Sequence, residues 1–145
     1  MILMTGILSL LLAVSPMTAS FYGEAFHGRP TANGETYDQH ALTAAHVDLP
    51  FGTRLWVEGP QGSAVVRIND RGPYCFSALA EGRLEPHPTR DIDLSRAAFD
   101  AVADLGEGIV EVAVTEIPED ITPGLPPPPW VPPPGVTIPQ WEVPE

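Results

Sequence analysis

Four carboxylates, an imidazole and their neighbours carry the candidate chemistry of this 145-residue chain. Glu35 and Asp38 leave a turn signalled by Asn33-Gly34, which brings the two acids close together. His46 ends the run Thr43-Ala44-Ala45-His46, shortly before Leu49-Pro50-Phe51-Gly52-Thr53. Asp70 lies where an apolar run breaks into Asn69-Asp70-Arg71-Gly72-Pro73, so a strand end carries a carboxylate between an amide and a guanidinium, braced by a Gly-Pro turn. Asp93, within Asp91-Ile92-Asp93-Leu94-Ser95, precedes an expected helix. Acids paired across a cleft suit glycosidic-bond cleavage. One carboxyl, its pKa raised by burial or a like charge, protonates the leaving oxygen. Another group accepts a proton or stabilises the developing oxocarbenium ion. A structural reading competes at every position. Asp in a turn commonly caps backbone N–H groups, and a lone His commonly serves as a hydrogen-bonding residue. Arg71 is a partner for Asp70 or Glu35, and such pairing would lower the acid's pKa and oppose an acid role. Tyr22, Phe26 and Tyr37 suit either a sugar-stacking floor or core packing. Cys75 and His46 would make a thiol hydrolase pair, against the plainer role of Cys75 as a small apolar residue.

These side chains need a scaffold of short strands. Leu55 and Val57 mark one, Ala64-Val65-Val66-Arg67-Ile68 a second, and Ile109 to Thr115 a third with clear period-two alternation. Gly59-Pro60-Gln61-Gly62 predicts a hairpin turn between the first two. A helix is expected over 95–105, where Ala98, Val102 and Leu105 repeat at helical spacing. Ser95 or Asp93 would cap it and Gly106 would stop it. The pattern describes a mainly β domain with one or two helices, suited to a small closed barrel.

Composition bounds the rest. Seven arginines stand against 19 acids, with no lysine, for a formal charge of −12. That balance argues against nucleic acid and against anionic lipid as partners. A single cysteine excludes an internal disulfide and Cys-rich zinc sites. Eleven of the 18 prolines fall in 118–145, where fixed φ and missing N–H groups predict an extended, disordered tail carrying Trp130 and Trp141. Residues 1–19 carry no charged side chain, and their apolar run reads as an export signal or N-terminal anchor. No Cys follows that run, so a lipoprotein-type anchor is not expected. The division is thus 1–19 for export, 20–117 for the barrel and 118–145 for the tail.

Seven motifs in register carry a resemblance. They are Ala19-Ser20-Phe21-Tyr22-Gly23, Phe26-His27-Gly28-Arg29, Thr31-Ala32-Asn33-Gly34-Glu35, Thr43-Ala44-Ala45-His46, Leu49-Pro50-Phe51-Gly52-Thr53, Val66 through Pro73, and Ile92-Asp93-Leu94-Ser95-Arg96-Ala97-Ala98. In this order, over about residues 19–117, the chain resembles the rare lipoprotein A family of double-psi β-barrels. The resemblance implies a six-stranded double-psi barrel with one or two short helices. It also implies a periplasmic lytic transglycosylase that cleaves the MurNAc–GlcNAc bond of peptidoglycan, preferring strands stripped of stem peptides, without metal or organic cofactor. The family's functional positions fall on Glu35, Asp38, His46 and Asp70. Asp70 is the expected acid, and Asp93, which matches an Asp of expansin and endoglucanase barrels, is the second candidate. Tyr22, Asn33, Tyr37, Asn69 and Arg71 are the expected sugar-binding residues. Residues 74–89, including Cys75, are an insertion relative to the family, beside the proposed cleft. The proline tail stands where many members carry a glycan-binding repeat, and it is the expected docking element for an envelope protein. A monomer is expected. Two rival readings are an expansin-like wall-binding module without turnover and a secreted accessory of a phage or envelope machine.

Overall fold

The computed structural model describes residues 13–118. Six strands, β1 Val14–Phe21, β2 Thr43–Ala45, β3 Arg54–Gly59, β4 Gly62–Asp70, β5 Ile92–Leu94 and β6 Val110–Ile117, close into a barrel of order β1-β5-β2-β4-β3-β6. Two pairs are parallel, β1 with β5 and β2 with β4, and the rest are antiparallel. This is the mainly β, six-stranded double-psi barrel expected above. Closure gives each strand a hydrogen-bonded neighbour on both sides.

The β3–β4 hairpin turns at Pro60–Gln61, in register from Arg54↔Arg67 to Gly59↔Gly62. Its two flanking glycines are required by close packing. A Cβ at Gly59 would stand 2.6 Å from the Val102 carbonyl oxygen, and one at Gly62 would stand 2.7 Å from that of Ala101. Both carbonyls belong to helix α2, Arg96–Val102, which follows the shorter α1, Phe76–Ala80. Ser95 caps α2, its side chain accepting from the Ala98 N–H, and Ala98, Phe99 and Val102 turn into the core. The helix ends earlier than its spacing predicts. Ala103 is already extended, and Leu105–Glu107 form a separate 3-10 turn in which the Asp104 side chain accepts from the Gly106 N–H. Gly106 therefore belongs to that turn and is not the helix stop.

The core runs through the barrel on Leu55, Val57, Val66, Ile68, Ile92 and Leu94, with Phe99 plugged in from α2. Phe21 tilts against Phe99 with ring centroids 4.7 Å apart. β1 takes up residues 14–19, which the sequence reading assigned to export, and six of its residues pair with β6. Residues 1–12 of the export segment and residues 119–145 of the proline tail lie outside the described residues.

Candidate active site

Strand register sets two carboxylates on one row. Ser20 of β1 pairs with Asp93 of β5, Asp93 pairs with Ala45 of β2, and Ala45 pairs with Asp70 of β4. The two aspartates are thus two strand spacings apart, roughly 10 Å between backbones, with a small alanine between them. The register shifts between Ala44 and Ala45, an irregularity that breaks the ladder beside Asp70. Beyond Asp70 the chain turns sharply at Gly72, whose φ of +128° calls for a residue without a Cβ. Asp70 and Asp93 line one cleft of about 500 Å³, together with Tyr22, Phe26, Arg71 and Arg90.

The surroundings make the two acids different. Asp70 accepts three hydrogen bonds: from the Tyr22 hydroxyl at 2.8 Å, the Ala32 N–H at 2.9 Å and the Arg71 N–H at 2.8 Å. Both of its oxygens are engaged. Asp93 accepts from the Ser20 hydroxyl, and the Arg90 guanidinium lies 3.8 Å away. Burial raises the Asp93 pKa above its ordinary value, although Ser20 and Arg90 oppose the rise. Arg90 also donates to the Ser20 hydroxyl at 2.9 Å, which links the base of the cleft into one chain of contacts. Tyr22 is pushed far above its ordinary pKa by burial and then by Asp70, so it stays a protonated donor.

Glu35 lies beside this row but is fixed as an anion. Arg67 grips it with two hydrogen bonds, 2.6 and 2.8 Å, Asn33 donates at 2.7 Å and Asn69 at 3.4 Å. The Arg67 hydrogen bonds, then that from Asn33, lower its pKa to about 2. A carboxylate so held has no proton to give near neutral pH. The network connects back to the row, because the loop that carries Asn33 and Glu35 also supplies the Ala32 N–H to Asp70.

Six expected site residues lie outside the cleft lining: Glu35, Asn33 and Asn69 of the network just described, and Asp38, Tyr37 and His46. The Asp38 carboxylate accepts from the His40 N–H at 2.9 Å, capping an exposed turn. Tyr37 is only 2 % exposed; it stacks on Tyr22 at 4.6 Å and its hydroxyl accepts from the Arg96 N–H, so it braces the wall from behind. His46 Nδ1 accepts from the Asp48 and Leu49 N–H groups, which places its proton on Nε2. Burial lowers the His46 pKa, partly offset by the nearby Asp48 carboxylate. The ring therefore shapes the loop leading to Phe51. Arg71 braces the same loop: its guanidinium donates to the Leu49 and His46 carbonyls and sits 3.9 Å from the centre of the Phe51 ring. Its side chain pairs with neither acid, in contrast to the sequence expectation; its backbone N–H serves Asp70 instead.

Sequence reasoning missed Arg67, Ser20 and Arg90 as functional neighbours. Arg67 had a signal, since it lies two residues before Asn69 on one strand and so shares its face. Arg90 had a weaker one, three residues before Asp93. Ser20 is brought to Asp93 only by the parallel β1–β5 pairing.

Residues 15–114 match the family model described as lytic transglycolase. The chain belongs to the lytic transglycolase family. Its curated relatives include a protein of Synechocystis sp. named probable endolytic peptidoglycan transglycosylase RlpA, 49 % identical over 98 residues that make up 66 % of this chain and 27 % of the relative. An endolytic peptidoglycan transglycosylase RlpA of Neisseria meningitidis is 39 % identical over 101 residues, 68 % of this chain and 37 % of the relative. The chain thus spans between about a quarter and two fifths of these relatives' length. The fold is also similar to that of a Clavibacter michiganensis expansin solved with cellohexaose, with a TM-score of 0.55 and 19 % identity over 74 % of this chain and 52 % of the expansin. A Streptomyces papain inhibitor shares it too, with a TM-score of 0.53 and 20 % identity over 73 % of this chain and 96 % of the inhibitor. Proteins of such different names share one barrel, so the fold alone does not set the function.

Proposed function

We propose that this chain is an endolytic peptidoglycan lytic transglycosylase, cleaving MurNAc–GlcNAc bonds to leave 1,6-anhydro-MurNAc ends, with Asp93 as the acid. The observation that supports this most is the unequal pair on one row. Asp93 is half-buried with its pKa raised above the ordinary value, while Asp70 is tied down by three donors. Asp93 gives its proton to the glycosidic oxygen as the C1–O bond breaks. The MurNAc C6 hydroxyl then bonds to C1 and returns its proton to Asp93, so the acid is regenerated and no water is consumed. Asp70, fixed by its three donors, faces the reacting carbon from the other end of the row. Glu35 and its Arg67 clamp position the loop that supplies a donor to Asp70, and His46 and Arg71 shape the opposite loop. On this proposal the protein works in the cell envelope, on strands that lack stem peptides and in wall remodelling or septal separation, as the family resemblance implies.

Incubation of purified protein with peptide-free glycan strands, read by mass spectrometry, tests the proposal. Anhydro-MurNAc ends that disappear in Asp93→Asn support it. Reducing MurNAc ends would mean hydrolysis. Intact strands bound equally by wild type and Asp93→Asn would favour the second reading, a non-catalytic expansin-like glycan-binding module, which the exposed aromatic lining of the cleft also suits.

A further inference from the structure

The insertion at 74–89 is an ordered excursion. Tyr74 bridges Pro86, the Cys75 N–H donates to the Glu85 carbonyl at 2.9 Å, and the His87 N–H donates to the Pro73 carbonyl at 3.0 Å. These bonds close its base. Ala78, 2 % exposed, anchors α1 to the body, and Arg83 pairs with Glu81 and Glu85 at the tip. What the excursion does not bury is its most apolar face. Phe76 is 75 % exposed and Leu79 is 40 % exposed, and the two, three residues apart on one helical turn, line the same cleft as Asp70 and Asp93. Phe26, 48 % exposed, lines it from the β1–β2 connection, set edge-on to Tyr22.

Large apolar side chains held in water on a tied-down backbone mark a binding surface. In a cleft with two carboxylates and three arginines, an exposed phenyl ring suits a pyranose, which offers an apolar C–H face and a polar rim of hydroxyls. We propose that the 74–89 excursion is a glycan-binding wall of the cleft and that Phe76 is its principal affinity-determining residue, stacking on a sugar ring of the bound strand. This rests on the glycan reading above and adds a subsite on the segment that sets this chain apart from the family pattern.

Two measurements separate this inference from the activity. Strand cleavage kinetics are compared for wild type, Phe76→Ala and Phe76→Tyr. Binding to peptide-free glycan strands is measured by fluorescence anisotropy for the same changes in an Asp93→Asn background, where no turnover intervenes. Loss of one aromatic contact corresponds to up to about tenfold in affinity. KM and Kd are therefore expected to rise about tenfold in Phe76→Ala and to return to within about twofold in Phe76→Tyr, with the melting temperature unchanged because the ring is exposed. Unchanged KM and Kd in Phe76→Ala overturn the proposal while leaving the activity intact. Phe76-dependent binding without any cleavage by wild type overturns the activity and upholds the wall. Absence of both binding and cleavage overturns both. If Phe76→Ala lowers the melting temperature, Leu79→Ser repeats the test from the next turn position, and unchanged binding there also counts against the wall.

Discussion

Asp93 and Asp70 share a chemical formula and differ in what surrounds them, and that difference can be measured as stability. The Asp93 carboxyl has a folded pKa above its unfolded value, so the folded state takes up its proton more readily. Its contribution to stability is most favourable below the unfolded pKa and declines as pH rises through the folded value. Asp93→Asn, a neutral isostere, is therefore expected to match or exceed wild type in urea denaturation at pH 7 while losing cleavage. Asp70→Asn keeps one oxygen for the Ala32 and Arg71 N–H groups but replaces the other, which accepts from the half-buried Tyr22 hydroxyl, with an amide donor, and is expected to cost about 1–3 kcal/mol in the same measurement. Glu35 has the opposite sign. Its pKa is lowered to about 2 from 4.5, so the stability it confers is present above pH 4.5 and is lost as pH falls toward 2. Because its side chain is 40 % exposed, Glu35→Gln is expected to cost no more than about 1 kcal/mol at neutral pH. Acid-unfolding curves of variant and wild type should converge near the lower end of that window.

Elements bring together what residues cannot, and the hairpin–helix contact shows how tightly. The glycines that flank Pro60–Gln61 let the last turn of α2 rest on the β3–β4 turn, with the Gln61 N–H donating to the Val102 carbonyl at 2.9 Å. Gly62→Ala drives a Cβ against the backbone of Ala101, which cannot swing aside as a side chain would. A loss of about 1–3 kcal/mol is expected, read as a lower urea midpoint with an unchanged slope. The hairpin, β6 and α2 were legible because each has a local cause: alternation, a Gly-Pro turn, a Ser cap. β2 and β5, three residues each, carry too little pattern to declare themselves, and they supply the register that brings Asp93 and Asp70 onto one row. The turn at Asn33-Gly34 was visible, and so was the clustering of acids. That Arg67, not Arg71, takes Glu35 was not, because the choice depends on which way β4 faces once the barrel closes. Tyr37 went behind the wall for the same reason: no local signal separates an aromatic that floors a cleft from one that supports it.

At the scale of the whole molecule, closure of the barrel depends on β1, which sits between β5 and β6. The six-residue register Val14–Ala19 against Thr115–Val110 makes the segment before Ser20 part of the fold. A chain starting at Val14 is expected to unfold cooperatively. One starting at Ser20, which loses all six pairs, is expected to leave β6 half unpaired and to lose the near-ultraviolet circular dichroism of a packed core. Charge is also distributed with purpose at this scale. In a chain of formal charge −12, three of the seven arginines, Arg29, Arg71 and Arg90, line the cleft that holds the two acids.

The pairing of the first strand with the last has a mechanical consequence. Val14 stands opposite Thr115, so the chain enters and leaves the barrel side by side, whereas the other end of β1, where Phe21 meets Leu94, opens onto the cleft. Seven strand rises, about 23 Å, separate the two poles. A line made fast to either terminus, or to both, would pull on the same pole of the barrel. The cleft, at the opposite pole, would then face outward from such a mooring.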